Sequence, residues 1–517
     1  MSGSRSEAAG AREPRASRRP IGGTETAGRD LLSVSSAQAV AAVLTGLTVV
    51  LATHLLTPAG YAVLAYVQLV GLLLLYVTSS WTAAALVRYG REELERHGTL
   101  RATSTARLAI SGPLLGVGVV VALVLELGGW LPDQVGWQFV GLGIALGIGL
   151  TATEHLVGLL QAEGRMRVSA LALVGRQAVV VVGFAAVGVV GAGGDPLTLA
   201  TITVGAGLVL ALVLARTAER DALWPRGIDR AVLRRLVLFS TPLIAFTLGQ
   251  YVLRSVDLVV LGIFTTAAEV GLYAVAYQVL MVLQQLPSAA PAVLSPLFVS
   301  MRERRGPEHS RRYLEVFVPQ LVWLAALLVG IAAPLVEPLI RLVLGEDYAG
   351  AAPPLTILLG ALLLFAYASF VVPVLLAEES TKAMAAATAL AALVNVAGDV
   401  VAVGVLNLGP RGPALATCLA LGALAVLYLR AAARAVSAAT GFRPLLLLPG
   451  LAGVVAAATL PNSFVLLVPL LGVPLLALAI ARLDHVFAAP GRSILNHLPM
   501  PARLRAPADR LLGAYRG

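Results

Sequence analysis

At 517 residues, with 58% hydrophobic and only 13% charged side chains, the chain carries half the charge of a soluble domain, about 25%. A mean hydropathy of +0.86 excludes an ordinary soluble enzyme. The net charge of +10 reads as basic loops flanking membrane helices rather than as a nucleic-acid surface, so no nucleic-acid partner is expected. One cysteine, Cys418, excludes an internal disulfide framework or a cysteine-based zinc site.

Residues 1–30 are rich in Arg, Ser, Gly and Pro and read as a disordered basic tail. The apolar stretch that follows is too long for a secretory signal and has no small-residue cleavage site. Apolar runs of about 20 residues, each long enough to cross a hydrocarbon core of about 30 Å, then recur along the chain. Their limits are 33–55, 61–85, 107–127, 137–160, 168–191, 196–215, 237–263, 271–298, 314–340, 353–377, 383–405, 412–430, 444–460 and 463–481. The predicted fold class is therefore all-α, a polytopic transmembrane bundle of about fourteen spans. The last two are short and hold Pro449, Pro469 and Pro474, so twelve is the alternative.

With the N-terminus in the cytoplasm, 34 of the 38 Lys and Arg residues fall in cytoplasmic segments. That alternation follows the positive-inside rule and puts both termini in the cytoplasm. The outer loops are all short, about eleven residues at most, leaving no room for a catalytic outer domain. The motif GYAVLAY at Gly60–Tyr66 returns as GLYAVAY at Gly271–Tyr277, 211 residues on. LLQAEGRMR from Leu159 resembles LLAEESTK from Leu375 at nearly the same offset. Two six-helix lobes around a central cavity are expected, at 31–217 and 236–433. Two further helices follow at 444–481, and then a basic tail over 482–517.

Lys382 is the only lysine, so no phosphate-binding G-x-x-x-x-G-K-[ST] loop exists. Six scattered histidines lack ligand spacing, and no G-x-S-x-G elbow is present. No residue pattern supports an enzyme, and no cofactor or metal is expected. Transport is the class left.

Arg176 and Arg254 sit inside apolar runs, where an isolated charge costs several kcal/mol and marks a functional site. At 1.5 Å per residue, Arg176 lies about 6 Å to the cytoplasmic side of its span's middle, and Glu154 about 7 Å to the same side. Those two are expected to meet. Gln250, Arg254 and Asp257 are spaced i, i+4, i+7 on one helical face, with Asp399 at similar depth as a second partner for Arg254. Two readings stand: ion pairs that join helices, or guanidinium forks held ready for a phosphate. Counting Glu154, Asp257 and Asp399 against the arginines leaves the interior at −1. Tyr66, Tyr277, Gln278, Gln284 and Gln285 suit either sugar hydroxyls or helix–helix hydrogen bonds.

The stretch Phe239–Pro287, FSTPLIAFTLGQYVLRSVDLVVLGIFTTAAEVGLYAVAYQVLMVLQQLP, resembles the start of the second half of polysaccharide flippases. Leu55–Tyr66, Leu342–Leu358 and Leu393–Ala420 resemble three further junctions of that family, so the likeness covers roughly 50–480. These are the O-antigen and exopolysaccharide exporters of the multidrug/oligosaccharidyl-lipid/polysaccharide (MOP) superfamily. The resemblance implies alternating access in the cell (inner) membrane, with an undecaprenyl-diphosphate-linked oligosaccharide as cargo. The lipid bilayer surrounds it, and a polymerase or glycosyltransferase is the implied protein partner. Arg254 and Arg176 would hold the diphosphate, with Gln250, Asp257, Glu154, Asp399, Tyr277 and Gln278 completing the expected site. The alternatives are a cation-coupled multidrug exporter, a lipid II-type flippase and a non-transport scaffold. The first is disfavoured because its branch tends to place a carboxylate in the first helix, where this chain has none.

Overall fold

The computed structural model describes residues 24–483 except 129–135, 192–193, 219, 224–226, 306–307, 439–442 and 461–466. The two expected tails lie largely outside the described residues. Residues 24–30 are the exception, since the first helix already begins at Thr24.

In hydrocarbon every backbone N–H and C=O must find a partner within the protein, so long apolar runs become helices. Twelve described helices are long and apolar enough to cross a membrane, and two shorter apolar ones, Pro444–Thr459 and Val468–Ala481, follow. The first half comprises α1 (Thr24–Leu55), α2 (Pro58–Thr78), α3 (Ala83–His97), α4 (Arg101–Leu127), α5 (Trp137–Ala162), α6 (Met166–Val190) and α7 (Pro196–Thr217). A short α8 (Arg220–Leu223) precedes α9 (Arg230–Phe264) and α10 (Ala267–Arg305). After α11 (Glu308–Arg312) come α12 (Val318–Ala332), α13 (Val336–Val343), α14 (Ala352–Ala377), α15 (Thr381–Asp399) and α16 (Arg411–Ala435). α17 (Leu448–Thr459) and α18 (Val473–Leu483) end the described chain.

Local chemistry sets these limits. Thr57 caps α2 ahead of Pro58, and Asp195 caps α7 ahead of Pro196, each side chain accepting from a first-turn amide. Glu93 reaches across from α3 to accept from the amides of Ala102 and Thr103, both at 2.8 Å, which starts α4. Gly164, at φ +77°, makes the tight α5–α6 turn that a residue with a Cβ would resist.

In the first half α2 packs on α5, α5 on α7, and α1 on α6; in the second, α14 is the hub against α10 and α16, with α15 bridging α16 and α9. The repeated motif explains how the halves meet. Gly60–Tyr66 opens α2 and Gly271–Tyr277 lies near the start of α10, and these two helices pack together. A Cβ at Gly271 would overlap the Pro58 carbonyl. Beside this crossing, Tyr348 donates to the Leu56 carbonyl at 2.9 Å and stands edge-to-face with Tyr61. Backbone cannot yield as a side chain does. Gly271→Ala is therefore expected to hold this end ajar, speeding maleimide modification of Tyr61→Cys in a Cys418→Ser background. An unchanged rate would show that the Gly271 contact does not keep this end closed.

Candidate functional site

A central cavity of about 480 Å³ lies between the halves. Its walls come mainly from α1, α2, α6, α9 and α10. Among the described residues, Arg176 and Arg254 are its only charged lining residues. The rest is apolar or neutral-polar, including amides at Gln38, Gln68, Gln177, Gln278 and Gln285. Among the described residues neither arginine has a carboxylate within ion-pair distance, and the Nε of Arg176 is buried without a hydrogen-bond partner.

Beside each arginine lies a side chain that ties two helices together. Gln177 donates to the Thr45 hydroxyl at 2.8 Å, fixing α6 to α1 beside Arg176. Tyr277 donates to the Leu253 carbonyl at 3.1 Å, fixing α10 to α9 beside Arg254. Two guanidinium groups thus face one partly apolar chamber with no acid among its described lining residues, Arg254 exposed and Arg176 half-buried. Such an arrangement suits an anion, because charge-assisted hydrogen bonds to phosphate or carboxylate are strong and directional.

The expected carboxylate partners lie elsewhere. Glu154 pairs with Arg107, not Arg176: Nη2 of Arg107 reaches Glu154 Oε2 at 3.0 Å. Arg107 is fully buried and also donates to Thr82 Oγ1 at 3.0 Å and Ser79 Oγ at 2.7 Å, while Ser80 Oγ donates to Glu154 Oε1 at 2.9 Å. This network seats the break between α2 and α3. Arg107 is thus a third arginine buried inside a helix, at the position where the sequence reading begins the span 107–127. One signal pointed to it: residues 101–107 hold neither Gly nor Pro, so nothing stops α4 from starting two turns before the apolar run.

Asp257 does not pair with Arg254 either. It points away from the cavity into the α10–α15–α16 side, fully buried. There it accepts from the Tyr273 hydroxyl, from Asn395 Nδ2 at 2.6 Å and from Thr417 Oγ1 at 2.9 Å. The same Asn395 nitrogen donates to Asp399 Oδ2 at 3.1 Å. Oδ1 of Asp399 and Oδ1 of Asn395 are buried with no partner. One amide nitrogen therefore bridges two carboxylates in an apolar setting, where two negative charges cannot both persist uncompensated. A shared proton or a monovalent cation would complete the group.

Of the expected residues, then, Arg176, Arg254, Tyr277 and Gln278 line the cavity, together with Gln285. Gln250 is half-buried on α9 and outside the lining; Tyr66 and Gln284 are buried away from it. Gln38, Gln68 and Gln177 join the site without having been singled out as cavity residues, since an amide inside an apolar run reads equally well as a helix–helix contact. The cavity lining sums to +2, not −1.

Twelve long apolar helices around a central cavity give the chain the build of a membrane transporter. The fold agrees. It superposes on the structure titled lipid II flippase MurJ, inward closed conformation, with a TM-score of 0.65 at 14% identity, over 87% of this chain and 98% of that one. An inward-facing multidrug resistance MATE family transporter of the MOP superfamily gives 0.58 at 15% identity, over 77% and 95%. The eukaryotic MATE transporter AtDTX14 gives 0.52 at 15% identity, over 80% and 99%. The architecture is that of MOP-superfamily transporters. A family model described as polysaccharide biosynthesis protein matches residues 27–302, and the chain belongs to that family. Curated sequences give no match.

Proposed function

We propose that the protein moves a polyprenyl-diphosphate-linked oligosaccharide, of the undecaprenyl type, from the cytoplasmic to the outer leaflet of the cell membrane by alternating access. The observation that carries this reading is the uncompensated pair Arg176 and Arg254 in a lining with no acid. A diphosphate brings two negative charges to meet two positive ones, and the surrounding amides offer donors and acceptors to sugar hydroxyls. The arginine-rich helix ends are cytoplasmic, following the positive-inside rule. With that interior negative, each net negative charge carried outward gains about 2.3 kcal/mol per 100 mV.

In this reading the two halves are the moving lobes. The crossing of α2 and α10, with the Tyr348 contact, closes the outer end. The buried Asp257–Asp399 pair is the energy-coupling element, its charge set by a proton or monovalent cation. A lipid II-type flippase shares the same anion chemistry and differs in the sugar. A multidrug exporter of cations would need an acid facing its cargo, and none lies among the described lining residues.

The test is translocation in vesicles containing the purified protein. A fluorescent polyprenyl-diphosphate oligosaccharide is expected to become accessible on the far leaflet. Uptake of cationic dye against an ion gradient, with no movement of the lipid-linked sugar, would overturn the reading.

A further inference from the structure

Two tyrosines one turn apart on α10 join the cavity wall to the buried acids. Tyr273 and Tyr277 are spaced i, i+4, so both rings leave the same side of the helix. The rings stack, with centroids 5.9 Å apart and planes inclined by 26°. Their hydroxyls end on different groups of α9. That of Tyr273 donates to Asp257 Oδ2, and that of Tyr277 donates to the Leu253 carbonyl at 3.1 Å. Leu253 precedes Asp257 by one turn, so in the α-helix its carbonyl also accepts the Asp257 amide.

These contacts close a circuit: the Asp257 carboxylate, Tyr273, Tyr277, the Leu253 carbonyl and the Asp257 amide. One turn of each helix is thereby clamped to the other. The two ends of the clamp face different surroundings. Tyr277 belongs to the cavity lining together with Arg254, the residue that follows Leu253. Asp257 faces Asn395 and Thr417 instead, and through Asn395 it is tied to Asp399. Tyr273 and Tyr277 are both buried. A close-packed interior leaves little slack, so a shift at one end is passed on rather than absorbed. The acid end is where bonding can change, because Oδ1 of Asp399 and Oδ1 of Asn395 have no partner.

We propose that Tyr273 and Tyr277 are positioning residues that set Arg254 according to how Asp257 is bonded. This rests on the reading of Asp257 and Asp399 as the coupling element and gives that element its route to the cavity. One Asn395 nitrogen serves both carboxylates, so a change in the hold of Asp399 on it alters the hold of Asp257. Asp257 then shifts the Tyr273 hydroxyl. The stacked rings carry the shift to Tyr277, and its hydroxyl carries it to the Leu253 carbonyl, beside the guanidinium that meets the cargo.

A double-mutant cycle read at the cavity tests this without cargo. Gln278→Cys, which lines the cavity with Arg254, is placed in a Cys418→Ser background and its maleimide labelling rate is measured in detergent. A nearby guanidinium favours the reactive thiolate, so the rate reports where Arg254 sits. Asp399→Asn is expected to change that rate about threefold or more. Tyr277→Phe keeps the ring stack and removes the hydroxyl; in its background Asp399→Asn is expected to change the rate by less than about 1.5-fold. Tyr273→Phe cuts the circuit at its other end and is expected to give the same loss of response, as is Arg254→Gln, which removes the group being positioned. Thr417→Val disturbs Asp257 from α16 and is expected to repeat the pattern, so the cycle does not hang on the stability of one variant. A rate that neither Asp399→Asn nor Thr417→Val changes overturns the proposal. So does a response that persists in the two Phe variants or in Arg254→Gln. Thermal unfolding within a few degrees of the parent shows that each variant is folded. Translocation is assayed separately, so failure of the cycle leaves the cargo reading standing, and failure of translocation leaves the cycle readable.

Discussion

Arg176→Ala and Arg254→Ala are each expected to abolish translocation while leaving the amount of folded protein unchanged or raised. Hydrogen bonds to charged groups contribute about 1.5–3 kcal/mol, and a forked guanidinium makes two, so losing one arginine is expected to weaken diphosphate binding on the order of 100-fold. The stability prediction has the opposite sign because neither group is paired. Arg176 holds a buried N–H with no acceptor, and truncating it relieves a desolvation cost instead of orphaning a carboxylate. Arg254→Lys keeps the charge and loses the fork, and is expected to retain partial activity. Thermal unfolding and the initial flipping rate, measured on the same preparations, check both halves. A variant that loses fold together with function would return these arginines to a helix-joining role. Asp257→Ala is not expected to rescue Arg254→Ala, since Asp257 bonds Tyr273, Asn395 and Thr417 instead.

The second large effect falls on the buried acids, and the two differ. Asp257→Ala removes an acceptor from three buried donors and leaves the Tyr273 and Thr417 hydroxyls unsatisfied at about 1–3 kcal/mol each, while Asn395 keeps Asp399. Loss of folded protein is the expected outcome. Asp399 accepts a hydrogen bond from Asn395. Asp399→Asn preserves its shape and removes one of the two charges, so the fold is expected to survive. What changes is the response to ions. With the parent protein, imposed sodium and proton gradients are applied one at a time, and one of them is expected to alter the flipping rate. Asp399→Asn is expected to make the rate indifferent to it. Gradient sensitivity unchanged in Asp399→Asn would remove the pair from energy coupling.

Twelve long helices were legible from apolar length, because a bilayer leaves the backbone no other choice. The repeat at Gly60 and Gly271 was legible too, and the structure brings its two copies together at the crossing of α2 and α10. Depth along a helix could also be read, since rise per residue is fixed. Direction around the helix could not. Arg254 and Asp257 lie three residues apart, about 60° around the axis. That is enough for one to face the cavity while the other faces α15. Glu154 matches Arg176 in depth, yet α5 turns it toward Arg107 and the α2–α3 break. Partner choice between embedded charges depends on which neighbouring helix each face meets, and that is set by packing between residues 47 apart for Arg107 and Glu154 and 138 apart for Asp257 and Asn395. Proline was equally ambiguous: Pro334 falls where α12 gives way to α13, whereas α10 runs on past Pro287.

The central claim is that the cavity binds its cargo through a diphosphate. The most direct measurement compares the affinity of the purified protein for one short-chain polyprenyl-linked oligosaccharide carrying the diphosphate with its affinity for the same lipid and sugar joined without phosphate. Binding of the diphosphate form about 100-fold or more tighter, with the gap collapsing in the Arg176→Ala, Arg254→Ala double variant, is the predicted result. Equal affinity for the two ligands, or a gap that survives removal of both arginines, would contradict it.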